Sequence, residues 1–286
     1  MNILWVTTFR SFGISKKNDK LQNRFLNDIK KLKCNVTLSV TIFNEINVEK
    51  NLKNSSLKTK IFKNKKKLKH NSKYSQSICM KNAMTIYNRN YDYLIWSTAD
   101  ITIPKNFTNK INSIGDNNIL MTVFPMYYVN SKNIISSYST NWGLDLFILK
   151  IKSLKKITQI KKLIKQCPNY GWGCYEHYFS SIADALKIRY INLCKNLIIK
   201  KYNNDRDVFN DLRENEIKSW KINQNYLIKF LEKNSLSKLY ATGSMYYLIY
   251  KFFNIRELNL RLLIIYIKIL IKLPKNFIKF LFKKLL

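Results

Sequence analysis

Residues Tyr91–Phe107, YDYLIWSTADITIPKNF, decide the fold. Tyr93 to Trp96 is an unbroken run of aromatic and aliphatic residues between polar punctuation, the signature of a strand buried on both faces. The run breaks at Ser97 and Thr98 and reaches an acid, Asp100, before Pro104 opens the next element. In open α/β sheets ligands bind outside the carboxyl ends of the strands, so an acid just past a central strand stands where chemistry is done. Asp100 also fits a turn or a helix cap before Ile101.

Working outward, Ser75–Asn90 has a helical pattern, with Ile78, Ala83, Met84 and Tyr87 able to share a face. Upstream, Asn2–Thr8 reads as a first strand, Lys20–Lys33 as a helix (Leu21, Phe25, Ile29 and Leu32 at helical spacing), Val36–Phe43 as a second strand and Leu57–Phe62 as a third. Downstream, Ile119–Val123 and Leu144–Leu149 are further apolar strands. The alternation predicts an α/β fold: a mostly parallel central sheet with helices on both faces. No internal repeat interrupts it.

Helix, buried strand, lone acid and proline, in that order, resemble the metal-binding motif of nucleotide-diphosphosugar glycosyltransferases in their two-layer GT-A form. That family has Asp-x-Asp where this chain has Thr98, Ala99 and Asp100, so only the second acid is present. The resemblance implies a GT-A-like fold, a UDP-sugar or similar nucleoside-diphosphate donor, and a divalent metal, Mn²⁺ or Mg²⁺, bridging its diphosphate. Hard cations take oxygen ligands, and one or two carboxylates plus phosphate oxygens can suffice. Thr8, Arg10, Thr98 and Asp100 are the donor-binding candidates. Arg10, directly after the first strand, carries a fork of donors suited to a diphosphate, and a solvated loop arginine is the plainer alternative.

A second constellation is Asn169–Phe179, NYGWGCYEHYF. Glycines on both sides of Trp172 let the backbone approach a ligand, and the indole offers a flat face for a sugar. Glu176 follows at the apparent start of a helix running through Ala185. The segment looks like the Trp-Gly-x-Glu-Asp region of several glycosyltransferase families, with Cys174 and Tyr175 intervening and the acid pair reduced to Glu176 and His177. The resemblance implies Trp172 and Gly173 at the acceptor, Glu176 as the base that takes the acceptor's proton, and His177 as a further metal ligand beside Asp100. A helix start whose acid favours the macrodipole accounts for the same residues. Between the two constellations lies Ser139–Lys150, STNWGLDLFILK. Asp145 enters an apolar run, where an unpaired carboxylate would be costly. The resemblance implies that this region contributes to the donor-sugar and acceptor pocket, with Asp145 a second candidate for sugar-hydroxyl binding or for the base and Trp142 at the acceptor; a structural acid capping a turn is the plainer alternative.

The 286 residues suffice for a large buried core, and 46% hydrophobic content excludes intrinsic disorder as a class. With six glycines, no GxGxxG and no GxxxxGK[ST], the dinucleotide and Walker readings fall away. The net charge of +34 permits anionic partners, although the heavy use of Lys, Asn, Ile, Tyr and Phe is also what A/T-rich codons produce. The basic run Lys63–Lys73 is either a phosphate-attracting loop or a solvated segment. No nucleic-acid motif accompanies the charge, so no nucleic-acid partner is expected. Five scattered cysteines with no CxxC, and only His70 and His177, argue against structural zinc and a disulfide framework, which suits a reducing compartment. MNILWVTTFR has no basic n-region and is not read as a signal peptide.

The carboxyl-terminal part changes character. After a polar helical stretch the chain is rich in aromatic and aliphatic residues. From Leu258 it is apolar with Lys268, Lys272, Lys275, Lys279 and Lys283 at helical steps. That basic stripe suits an in-plane interfacial helix on anionic headgroups better than a span, which tolerates few lysines. Pro274 should divide it. The organisation expected is a transferase domain at 1–201, a helical extension at 202–257 and a membrane-association segment at 258–286. The expected protein is a glycosyltransferase of cell-surface glycan synthesis. It would be cytoplasmic and held peripherally on the inner face of a membrane, with a saccharide or glycolipid acceptor. A non-catalytic scaffold of the same fold and a basic nucleic-acid-binding protein are the alternatives.

Overall fold

The computed structural model describes residues 1–64, 75–113, 119–123, 127–129, 135–136, 146–151, 157–167, 189–192, 200–202, 229 and 232–233. Strand β1 (Asn2–Thr7) leads into helix α1 (Lys16–Lys30), then β2 (Asn35–Ile42), α2 (Val48–Asn54) and β3 (Lys58–Lys63). Helix α3 (Gln76–Ile86), β4 (Tyr93–Ser97) and α4 (Phe107–Asn112) follow. Beyond them are β5 (Ile119–Val123), β6 (Tyr127–Val129), β7 (Ile135–Ser136), β8 (Leu146–Lys150), α5 (Ile157–Gln166), β9 (Arg189–Asn192) and β10 (Lys200–Tyr202).

Among the described residues seven strands form one sheet, in the order β3-β2-β1-β4-β8-β5-β9. Only β8 runs against the rest, wedged antiparallel between β4 and β5. The expected α/β class, a mostly parallel sheet with helices on both faces, is therefore what forms. A second sheet of three short strands, β10-β6-β7, stands apart from it. Residues 202–257 and 258–286 lie almost wholly outside the described residues. Among the described residues no helix is long and apolar enough to cross a membrane.

The two faces are built by alternation. Ile3, Trp5, Tyr93, Ile95, Leu146 and Ile148 pack in one core with Phe25 and Ile29 of α1 and Phe107 and Ile111 of α4. Trp5 lies edge-on to Phe25, with ring centroids 5.8 Å apart, and tilted against Phe107 at 5.4 Å. The other face, with Leu4, Val6, Leu94 and Trp96 buried, carries α3, against which α5 packs. At one edge of the sheet β3 alternates exposed lysines, Lys58 and Lys60, with partly buried neighbours. Charges of this kind discourage another strand from adding there.

Several boundaries differ from those expected. The first helix begins at Lys16 because the Ser15 hydroxyl accepts from the Asn18 N–H at 3.4 Å and caps it. It ends at Lys30, since Leu32 and Cys34 fold the chain into tight turns that feed β2; Leu32 is nevertheless buried, as its spacing predicted. Helix α3 starts after its own cap, Ser75, and stops at Ile86 rather than Asn90. There the Asn88 side chain accepts from the Asn90 N–H at 3.0 Å and turns the chain toward β4. Its buried face is Cys79, Met80, Ala83 and Met84; Ile78 and Tyr87 are only partly covered. The last predicted strand sits at Leu146–Lys150 instead of Leu144–Leu149.

Candidate functional site

Strands β1 and β4 are parallel neighbours with Val6 opposite Trp96. Continuing that register by two residues, Thr8 and Thr98 leave the sheet side by side at its carboxyl-terminal rim. Thr8 is half-buried, and its hydroxyl donates to the Thr41 carbonyl of the next strand at 3.1 Å. Arg10 exposes its side chain, while its backbone N–H donates to Oε1 of Gln22 on α1 at 2.5 Å. Gln22 is itself 3% exposed, so the arginine loop is fastened to the core beneath it.

Past β4 the chain alternates. Ala99, Ile101 and Ile103 are buried in the α1-side core, which turns Asp100 away from it. Asp100 is half-buried in a turn, one residue before an isolated bridge at Ile101. Thr98 Oγ1 is buried and makes no hydrogen bond among the described residues. Pro104 does open the next element, since its carbonyl accepts from the Phe107 N–H at 3.0 Å as α4 begins.

Strand β8 contributes its amino end to the same rim, because Leu146 pairs with Ser97 of β4 and with Val123 of β5. The structure thus brings Thr8, Arg10, Thr98 and Asp100 to one rim, from two loops. Trp142, Asp145, Trp172, Gly173, Glu176 and His177 lie outside the described residues.

A neighbouring loop, that between β2 and α2, packs against the Arg10 loop, and the sequence reading missed it. Phe12 N–H donates to the Ile46 carbonyl and Ile46 N–H to Ser11 Oγ, both at 3.1 Å. Asn47 Nδ2 adds a third bond at 3.1 Å, to the Phe12 carbonyl, and Asn47 itself is left-handed (φ 60°). Asparagine tolerates that conformation, and an Asn just before Val48 was the signal available. Beside this junction opens a groove of about 860 Å³ between β2, β3 and α2, lined by Phe43, Glu45, Asn47, Lys50, Lys63 and Asn64, among others. None of the four candidate residues lines it, and it lies two strands away from Asp100. Glu49 on its wall contacts both Lys63 and Lys53, and those two ammonium groups hold its carboxyl below the usual range.

A divalent ion fits this rim only in part. Among the described residues no three His, Cys, Asp or Glu side chains converge. Asp100 offers one hard oxygen donor set, which suits an ion that keeps water and phosphate oxygens and not one caged by protein alone.

Neither a family model nor a curated protein matches the chain. Solved structures resemble it at low identity. TarS from S. aureus, residues 1–349, is 12% identical over 81% of this chain and 71% of that one, with a TM-score of 0.47. The glucosyl-3-phosphoglycerate synthase of Mycobacterium tuberculosis, solved with Mg²⁺ and uridine diphosphate, is 10% identical over 78% and 79%, at 0.46. The inositol-1-phosphate CTP transferase of T. maritima is 11% identical over 81% and 96%, at 0.43. TM-scores this low fix neither activity nor substrate.

Proposed function

We propose that the chain is a glycosyltransferase that moves a sugar from a nucleoside diphosphate, UDP in the first instance, to a saccharide or lipid-linked saccharide acceptor. One observation carries this: a half-buried acid, Asp100, follows β4 at the rim where Thr8 and the exposed Arg10 follow its parallel neighbour β1. Parallel strand ends that deliver a cation, hydroxyls and a carboxylate to one place suit a bound diphosphate.

In the transfer, the acceptor oxygen bonds to the anomeric carbon as the bond from that carbon to the phosphate oxygen breaks. The electron pair leaves with the diphosphate, and the acceptor's proton passes to a carboxylate. Arg10 would answer the charge gathering on the leaving group. Asp100 would hold a divalent ion against the diphosphate, and that ion would supply further charge neutralisation there. The proton acceptor is Glu176, with Trp172 as the sugar's platform and Gly173 giving room; His177 would add to the metal set. Asp145 is the competing base. It directly precedes Leu146, which β8 places at the rim, and Trp142 would serve the acceptor there.

The segment 258–286 would hold the enzyme on an anionic membrane surface, on its cytoplasmic side, where lipid-linked acceptors are extended into cell-surface glycans. A catalytically silent scaffold of the same fold is the second reading, favoured by Thr98 standing where a second acid would strengthen the metal site. Calorimetry with a panel of nucleoside diphosphate sugars, with and without Mn²⁺ or Mg²⁺, tests both. Metal-assisted UDP-sugar binding with turnover supports the transferase. Binding without turnover supports the scaffold, and salt-sensitive RNA or DNA binding with no UDP affinity defeats both.

A further inference from the structure

Helix α1 carries a carboxylate that the proposed chemistry does not use. Asp28 lies near the carboxyl end of α1, half-buried, and its Oδ2 accepts from the backbone N–H of Ile103 at 3.0 Å. The two residues are 75 apart in sequence, so the bond ties α1 to the segment that leaves Asp100. Burial raises the Asp28 carboxyl above its ordinary range, while the Ile103 N–H, Lys31 and Arg24 pull it back toward the ionised form.

The same helix fastens the other loop of the rim through Gln22 and the Arg10 N–H. One rigid element therefore holds both candidate donor-binding loops. Between β4 and Ile103 the chain has buried anchors only at alternate positions, Ala99, Ile101 and Ile103. Alternation decides which side Asp100 emerges on, and the bridge at Ile101 pairs the chain once on the way. The Asp28 bond at Ile103 adds a backbone tie where the segment ends. We propose that Asp28 is a positioning residue that, through Ile103, fixes where along the rim the Asp100 carboxylate stands. The proposal rests on the donor-binding reading of Asp100.

The experiment compares the intact chain with Asp28→Ala and Asp28→Asn by two measurements. Hydrogen exchange without ligand reads the clamp, and UDP binding in the presence of Mn²⁺ reads its consequence. Asp28→Ala should speed exchange across residues 99–103 about tenfold, leave the amino-terminal half of α1 unchanged and weaken UDP·Mn²⁺ binding about tenfold. Asp28→Asn, whose amide oxygen still accepts from the Ile103 N–H, should stay within about twofold of wild type in both. In an Asp100→Ala background, Asp28→Ala should cause no further loss of Mn²⁺-dependent binding. Asp28→Ser, too short to reach Ile103, replaces the alanine variant if that one fails to fold. Unchanged exchange at 99–103, or faster exchange with undiminished UDP·Mn²⁺ binding, overturns the proposal. A wild-type chain that does not bind UDP with Mn²⁺ overturns the donor-site reading itself, a result separate from either of those.

Discussion

The indole N–H of Trp5 donates to the hydroxyl of Ser97 across 2.8 Å, entirely inside the protein. Trp5 belongs to β1 and Ser97 is the last residue of β4, so the bond cross-links the two strands one step below the rim that bears Thr98 and Asp100.

Ser97→Ala should cost about 1–3 kcal/mol of stability, because it leaves a buried indole donor with no acceptor. Urea unfolding measures it. A double-mutant cycle with Trp5→Phe should give a smaller second loss, since the partner is already gone; fully additive losses would mean the bond contributes nothing.

Asp100→Ala should lower turnover by a factor of roughly 100 or more, the scale of removing a key electrostatic group. Asp100 Oδ1 is buried, so a melting curve run beside the assay separates loss of the fold from loss of the site. Wild-type turnover with unchanged Mn²⁺ dependence would remove Asp100 from the site.

Glu176→Gln keeps shape and removes the proton acceptor, so kcat should fall strongly while UDP-sugar affinity stays nearly the same. Asp145→Asn in the same assay decides between the two acids. A near-normal Glu176→Gln beside an inactive Asp145→Asn would move the base to Asp145.

Cys79 is fully buried, and burial pushes its thiol from 9.0 up to about 12. The folded chain keeps that proton while the unfolded chain begins to release it near pH 9. The stability it contributes is complete below pH 9 and is lost as the pH climbs toward 12. Cys79→Ala should flatten that alkaline loss in pH-dependent unfolding. In native labelling at pH 8, the half-buried Cys34 should react before Cys79 and Cys167.

Truncation before Leu258 should release the protein from liposomes that contain anionic lipid, and high salt should weaken attachment of the intact chain. Equal partitioning of both forms would dismiss the membrane role of 258–286.

Much of the sheet was legible because its strands are short apolar runs between polar breaks, and Ile119–Val123 matches residue for residue. The reversed direction of β8 was not, since Leu-Phe-Ile-Leu reads alike in either orientation and only pairing partners set it. Helices α2 and α4 have seven and six residues, too few for a periodic pattern to declare itself. Asp100 was legible as a strand-end acid. Gln22 and Asp28 were not, because nothing near them in sequence names a partner on another loop.

The pairing of Val123 with Leu146 has an evolutionary corollary. Everything from 124 to 145 departs from and returns to neighbouring points on the rim, so its length is free of the sheet's geometry. Lineages could lengthen, shorten or exchange that excursion while the donor side stays untouched. The restriction is that β6, inside it, pairs with β10, so a graft must bring a strand that β10 accepts. If the chain is the transferase proposed above, divergence in what receives the sugar would be written there, and chimeras spliced at Val123 and Leu146 would transplant it.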